Sequence, residues 1–247
     1  MTSAATTPTS PEAAATRDAI TARQLGKVID DKAILADLSF TVPQGDYVAL
    51  PGANGAGKRT LLKILSTLMP PSHGTITLFG RDLGKEGARL RSRIGLIGHG
   101  SMLYRDLSPL ENLVLFGRLY RVARPAERAT DLLRSIGLAG RARDPVKTFS
   151  RGMTQRVSIA RALMHDPDLL LADEPFAGLD APSVRIVETL MSSLNEAGKT
   201  VVLVNHDIRQ SLELARHALV LKNGRLVMDV GSEETDAVAV LEEVSTA

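Results

Sequence analysis

An apolar run, a glycine-rich segment and a second apolar run follow one another without interruption between residues 47 and 65. Residues 47–50 are predicted to form a strand and residues 61–65 a helix. The segment between them contains Gly52, Ala53, Asn54, Gly55, Ala56, Gly57, Lys58, Arg59 and Thr60. The glycines allow the backbone to curl so that successive N–H groups point at one anion, and Lys58 adds a positive charge. This succession predicts an α/β fold with a phosphate-binding loop (P-loop).

Arg59 is the unusual residue of this loop. The pattern expects Ser or Thr directly after the lysine, because the hydroxyl oxygen of that residue ligates Mg²⁺. A guanidinium group has N–H donors and no lone pair to share, so Arg59 cannot ligate a cation. Thr60 lies one position late, and one residue along a helix turns a side chain by about 100°. The sequence therefore predicts nucleotide binding and leaves catalytic competence open.

Composition narrows the class of protein and of partner. A chain of 247 residues can hold one large α/β domain, with or without a small subdomain. Its 30 basic and 28 acidic residues are too evenly balanced to predict a nucleic-acid partner. The absence of cysteine excludes disulfides and thiolate metal sites. No apolar run approaches the roughly 20 residues of a membrane helix, so we expect no direct membrane insertion and any membrane role through a partner.

The chain divides into three predicted regions. Residues 1–18 are rich in Ala, Thr, Ser and Pro and are predicted to be a disordered tail. Residues 19–230 form the predicted domain, in which antiparallel strands precede the P-loop and a helical subdomain occupies about residues 100–165. Residues 231–247 are predicted to be a short acidic tail.

Two carboxylates follow a buried strand downstream of the P-loop. Residues 169–172 are apolar, and Asp173 and Glu174 come directly after them. Such a pair is often only a polar turn, but a P-loop needs carboxylates at this place. We assign Asp173 to the metal ion and Glu174 to the general base that activates water.

A third segment precedes a predicted helix over residues 150–164. It contains Phe149, Ser150, Arg151, Gly152 and Met153. Ser150 is a good N-cap, and a helix N-terminus with a serine can bind phosphate or can simply be capped. In combination with the P-loop and the carboxylates, the segment resembles the signature of the ATP-binding subunits of ABC transporters, usually Leu-Ser-Gly-Gly-Gln. The resemblance covers roughly residues 19–230.

The resemblance implies roles for further residues. Asp180 matches the D-loop aspartate that crosses a dimer interface, and His206 matches the switch histidine that reaches the γ-phosphate. His99 stands at the position of the usual Q-loop glutamine. Ile29 stands where an aromatic residue normally stacks on adenine, and Arg151 replaces a signature glycine.

The family resemblance also implies an assembly. It predicts a RecA-like core sheet, an antiparallel β-subdomain and an inserted helical subdomain. Two copies, or this chain and a paired ATP-binding subunit, would enclose ATP and Mg²⁺ between Lys58 of one and residues 150–153 of the other. Membrane-spanning permease subunits would be the partners, and the location the cytoplasmic face of the membrane. His99, residues 149–153 and residues 102–113 further resemble the subunit of cytochrome c maturation, often described as a haem exporter.

Two alternatives stay open at the level of sequence. The first is a nucleotide-gated subunit that hydrolyses ATP slowly or not at all because of Arg59. The second is a soluble ABC ATPase that acts outside transport.

Overall fold

The computed structural model describes residues 18–231 and Val240. The predicted tails fall outside these residues, apart from Asp18, which begins the first strand, and from Gly231 and Val240.

Residues 18–231 form ten β-strands and seven α-helices. The strands are β1 (Asp18–Ile29), β2 (Lys32–Pro43), β3 (Tyr47–Ala49), β4 (His73–Leu78), β5 (Arg81–Asp82), β6 (Ile94–Ile97), β7 (Leu169–Asp173), β8 (Thr200–Val204), β9 (His217–Lys222) and β10 (Arg225–Gly231). The α-helices are α1 (Lys58–Leu65), α2 (Leu83–Leu90), α3 (Pro109–Leu119), α4 (Pro125–Ser135), α5 (Arg151–Ala162), α6 (Ala181–Glu196) and α7 (Ile208–Leu214).

The strands form two sheets. The first is antiparallel, with the order β2-β1-β4-β5. The second has the order β10-β9-β3-β8-β7-β6, and all of its strands except β10 run parallel. This confirms the predicted α/β class, with antiparallel strands ahead of the P-loop strand and a parallel core.

The central strands are buried on both faces, which explains why their sequences are apolar without alternation. Leu169 and Leu171 of β7 pack on the side of the antiparallel sheet and α1. Leu170 and Ala172 of the same strand pack on the opposite side, against helices α3 to α6. Successive side chains of a strand point to opposite faces, so one strand joins both cores.

The helical segment lies between β6 and β7 in the chain. The apolar period over residues 108–138 forms two helices, because Pro125 begins α4 after the break that follows α3. No helix in the described part of the chain has both the length and the apolar character needed to cross a membrane.

Candidate functional site

Four neighbouring parallel strands, β3, β8, β7 and β6, bring the predicted site residues to one edge of the sheet. The P-loop follows β3, His206 follows β8, and His99 follows β6. Asp173 is the last residue of β7, and Glu174 comes next. Ligands of open α/β sheets bind outside the carboxyl ends of the strands. Segments that are distant in sequence are thus assembled where such a fold binds its ligand.

Gly57 joins the P-loop to α1 and requires the absence of a side chain. Its φ is +99°, in the region that favours glycine. A Cβ on Gly57 would lie 2.5 Å from Leu35 Cδ2 and 2.9 Å from the Ile34 carbonyl oxygen. The loop therefore packs directly against β2 at the start of its helix.

The hairpin formed by β9 and β10 is hydrogen-bonded to the P-loop. The Gly224 N–H donates to the Ala56 carbonyl oxygen at 3.2 Å, and the Leu221 N–H donates to the Pro51 carbonyl oxygen at 3.0 Å. The turn of this hairpin is not among the predicted site residues. The available signal was the pair Asn223 and Gly224 between two strand-like runs, a strong hairpin pattern.

Lys58 folds back onto its own loop. Its Nζ donates to the carbonyl oxygens of Gly52 and Ala53, the latter at 2.8 Å. Burial lowers the pKa of the Lys58 ammonium, and this outweighs the opposing effect of Glu174 and Asp173. A phosphate in the loop would compete with those two carbonyl oxygens for the ammonium.

Arg59 connects α1 to the carboxylates that follow β7. Its Nε lies 2.8 Å from Asp173 Oδ2, and its Nη2 lies 3.1 Å from Glu174 Oε1. The hydrogen bond to Asp173 is the main reason why the pKa of Arg59 is raised. His206 Nε2 also lies 3.1 Å from Glu174 Oε1. One glutamate oxygen therefore lies close to both Arg59 and His206.

Asp173 retains one oxygen atom without a partner. Its Oδ1 is buried and has no hydrogen bond within the described part of the chain. In residues 18–231, no group of three or more His, Asp or Glu side chains is arranged to hold a metal ion.

A cavity of about 330 Å³ lies in front of the P-loop. It is lined by residues 54–60, both carboxylates and His206, with Ile34 as an apolar wall. Ile29, the position predicted to contact a base, is not among its lining residues, whereas Ile34 is a lining residue that sequence reasoning missed. Contact between Ile29 and a base stays a prediction.

A second cavity, of about 380 Å³, lies on the other side of the same carboxylates. His99, Arg151 and Gln155 line it together with Asp173 and Glu174. His99 therefore shares a cavity with the predicted catalytic carboxylates. Arg151, from the signature segment, lines this second cavity and not the P-loop cavity.

The signature segment and the D-loop pack against each other within the chain. The Ser150 hydroxyl caps α5 by accepting from the Met153 N–H at 3.2 Å. The Arg151 side chain lies over Gly178, where a Cβ would be 2.8 Å from it. Asp180 caps α6, and its hydrogen bonds with Ser183 lower its pKa. Residues 150, 152 and 153 and Asp180 do not line the P-loop cavity of their own chain.

Comparison with known proteins agrees with this geometry. The family model described as ABC transporter matches residues 35–177. The chain is 35% identical over 208 residues to the linearmycin resistance ATP-binding protein LnrL of Bacillus subtilis, covering 83% of this chain and 67% of that protein. It is 36% identical over 209 residues to the Nod factor export ATP-binding protein I of Cupriavidus metallidurans, covering 84% of this chain and 69% of that protein.

A solved structure supports the same assignment. The dimeric post-hydrolysis state of an ATP-binding cassette bound to ADP and Pi superposes with a TM-score of 0.79 at 28% identity, covering 86% of this chain and 98% of that chain. The match of the family model, the relatives and the arrangement of the sheet edge lead to one conclusion. The chain belongs to the ABC transporter family, as an ATP-binding subunit and an ATPase of the ABC type.

Proposed function

We propose that this chain is the ATP-driven subunit of an exporter, bound on the cytoplasmic face to membrane-spanning permease subunits. The observation that carries the proposal is the single sheet edge at which the P-loop, both carboxylates and His206 meet around one cavity. Two relatives are named for linearmycin resistance and for Nod factor export, which supports an organic molecule as the substrate. We also propose that residues 19–230 form the ATP-binding domain.

The P-loop would hold the triphosphate of ATP. Backbone N–H groups of residues 54–60 and the Lys58 ammonium would contact the phosphate oxygens, since both line the cavity. His206 would contact the outer phosphate, and Glu174 would orient the attacking water. His99, across the carboxylates, would contact that water from the second cavity.

The remaining predicted residues would serve a second subunit. Ser150 to Met153 and Asp180 do not line the P-loop cavity of their own chain, and we assign them to the site of a partner copy. The solved cassette with ADP and Pi is a dimer, which supports this arrangement. Lys58 of one subunit would then share its nucleotide with the α5 N-terminus of the other.

The residues of this site do not fit the Mg²⁺ ion that the family resemblance implies. Arg59 replaces the hydroxyl ligand, and its guanidinium is paired with Asp173 Oδ2 and Glu174 Oε1. The buried Asp173 Oδ1 is a single leftover acceptor, and a dication there would lie close to an arginine cation. Because Glu174 Oε1 already faces Arg59 and His206, we expect slow hydrolysis. Slow hydrolysis is also what the nucleotide-gated alternative predicts.

Haem export remains a narrower hypothesis. It rests on the sequence resemblance at His99, at residues 149–153 and at residues 102–113. The relatives named above are resistance and Nod factor export proteins, and they support export in general. The same names weigh against the soluble, non-transport alternative.

The loop that includes Met102 and Tyr104 offers a surface for a permease. Both side chains are exposed, at 47% and 59%. The loop is held by the buried Asn112, whose Oδ1 accepts from the Tyr104 N–H at 2.8 Å and whose Nδ2 donates to the Tyr104 carbonyl oxygen at 2.9 Å. An exposed aromatic side chain on a rigid loop is typical of an interface anchor.

Purification from detergent-solubilised membranes tests the proposed function. We expect the tagged full-length chain to recover a polytopic membrane protein, and Tyr104→Ser to lose it. Leu68→Ser is the matched control, because Leu68 is 63% exposed and lies after α1, away from this loop. Recovery of soluble proteins alone, or equal recovery by both variants, would contradict the proposal.

A further inference from the structure

Arg59 forms a charged bridge that the established features of the site do not explain. It is the second residue of α1, directly after Lys58, and it reaches two carboxylates from another strand. Its Nε contacts Asp173 at 2.8 Å, and its Nη2 contacts Glu174 at 3.1 Å. A cation built into the chain thus lies on the acidic group that an ABC site would offer to a metal ion.

The same guanidinium also faces the cavity. Arg59 lines the space in front of the P-loop, and 53% of its side chain is exposed. A guanidinium has five N–H donors in a planar fork, and two contacts to carboxylate oxygens leave donors for further oxygens. Arginine binds phosphate well because this fork matches the geometry of phosphate oxygens.

The balance of charge around the cavity depends on this residue. Lys58 and Arg59 together offset Asp173 and Glu174, so the rim is close to neutral toward an incoming anion. Without Arg59, the two carboxylates outnumber Lys58, and a triphosphate would meet net negative charge. A divalent cation would then be needed to restore the balance.

We propose that the Arg59 guanidinium takes the place of the divalent cation, so that this chain binds ATP equally well with and without Mg²⁺. The inference rests on the proposed ATP binding of the same cavity. It assigns to Arg59 the neutralisation of Asp173 and Glu174 and a direct contact with the phosphates.

Equilibrium binding of ATP to the full-length protein tests the inference, by calorimetry in excess EDTA and in excess Mg²⁺. We expect the Kd of the native chain to differ by less than about threefold between the two buffers. Arg59→Ser should weaken binding by about tenfold or more in EDTA and recover most of the loss with Mg²⁺. Arg59→Gln, which keeps more of the side chain than serine does and removes the charge, should show the same loss in EDTA.

Arg134→Ser is the matched control, because Arg134 is exposed on α4 and pairs with Asp131 rather than with the site. It should bind as the native chain does in both buffers. The inference is overturned if the Kd of the native chain for ATP is lower in Mg²⁺ than in EDTA by tenfold or more. It is also overturned if each Arg59 variant has the same Kd in EDTA and in Mg²⁺. Absence of ATP binding in every buffer would overturn the proposed function as well, which separates the two failures.

Discussion

Glu174 has a backbone conformation that few glutamates adopt. Its φ is +54°, and its N–H donates to the Val204 carbonyl oxygen at 2.8 Å. A non-glycine residue in this region costs on the order of 1–3 kcal/mol and persists only where its surroundings hold it. The strain turns the chain sharply at the end of β7 and leaves the carboxylate on the cavity wall, close to His206 and Arg59.

ATP turnover tests the role of Glu174. If Glu174 is the general base, Glu174→Gln should lower turnover by about 10²-fold or more. Arg59→Ser in the presence of Mg²⁺ should raise turnover above that of the native chain, because it frees a glutamate oxygen and supplies a hydroxyl. Release of phosphate from ATP is the measurement. Glu86→Gln, at an exposed ion pair with Arg81, should leave the rate unchanged.

Equal turnover in native protein and Glu174→Gln would exclude Glu174 as the base. A lower rate in Arg59→Ser than in the native chain would show that the arginine assists the chemistry rather than restraining it.

At the scale of elements, the β9–β10 turn is as much a part of the site as the P-loop. Gly224 has a φ of +74°, and a Cβ on it would lie 2.4 Å from the Ile34 carbonyl oxygen. Its N–H donates to Ala56 in the P-loop, and its carbonyl oxygen accepts from the Ala36 N–H at 2.8 Å. A side chain at this position would therefore push the hairpin away from both β2 and the loop.

Gly80→Ala provides a matched control for Gly224→Ala. Gly80 has the same φ of +74°, but its Cβ would have nothing within 4 Å. Gly80→Ala should lower the free energy of unfolding by roughly 1–2 kcal/mol, because alanine is strained in the left-handed backbone conformation. Gly224→Ala should lose about 1–3 kcal/mol more through the clash, and it should also weaken ATP binding. Urea unfolding and ATP calorimetry measure the two effects, and equal losses in both variants would contradict this account.

Elements that rest on local patterns could be predicted from the sequence. β3, β7 and β8 are buried apolar runs, and α1 follows a glycine-rich turn, so their existence followed from neighbouring residues. The start of α6 also follows from local residues, because Asp180 is its N-cap and Pro182 lies in its first turn.

Contacts between distant segments could not be predicted in the same way. The sequence shows that Arg59 lacks a lone pair, but only the packing of α1 beside β7 places its guanidinium between Asp173 and Glu174. The choice of Ile34 rather than Ile29 as cavity wall likewise depends on how β2 lies on the P-loop. Such contacts depend on tertiary packing rather than on local preference.

At the scale of the whole molecule, one buried histidine contacts carboxylates from two different segments of the chain. His217, at the start of β9, is only 7% exposed. Its Nδ1 lies 3.0 Å from Asp46 Oδ2, just before β3, and its Nε2 lies 2.7 Å from Asp229 Oδ1 in β10. Burial opposes protonation of His217, but the hydrogen bonds and charges of the two aspartates outweigh it, so the pKa is raised.

The raised pKa of His217 predicts how stability varies with pH. A group whose pKa is higher in the folded state stabilises fully below its unfolded pKa, which is 6.5 for histidine. That contribution is lost as pH rises above 6.5 through the raised folded value. The urea midpoint of the native chain should therefore fall over this range relative to that of His217→Gln. A constant difference between the two midpoints would show that folding does not raise the pKa of His217.

The β9–β10 hairpin contacts the P-loop but contains none of the motifs by which the family is recognised. All of the signature chemistry, from the glycine-rich loop to His206, lies before β9 begins at His217. The backbone that holds Pro51 and Ala56 in place, and the strand that pairs with β3, come afterwards. A fragment that ends after His206 would carry every diagnostic residue and would still lack the support on which its nucleotide pocket depends. The shortest stretch that identifies the family and the shortest stretch that performs its binding step are different lengths of polypeptide.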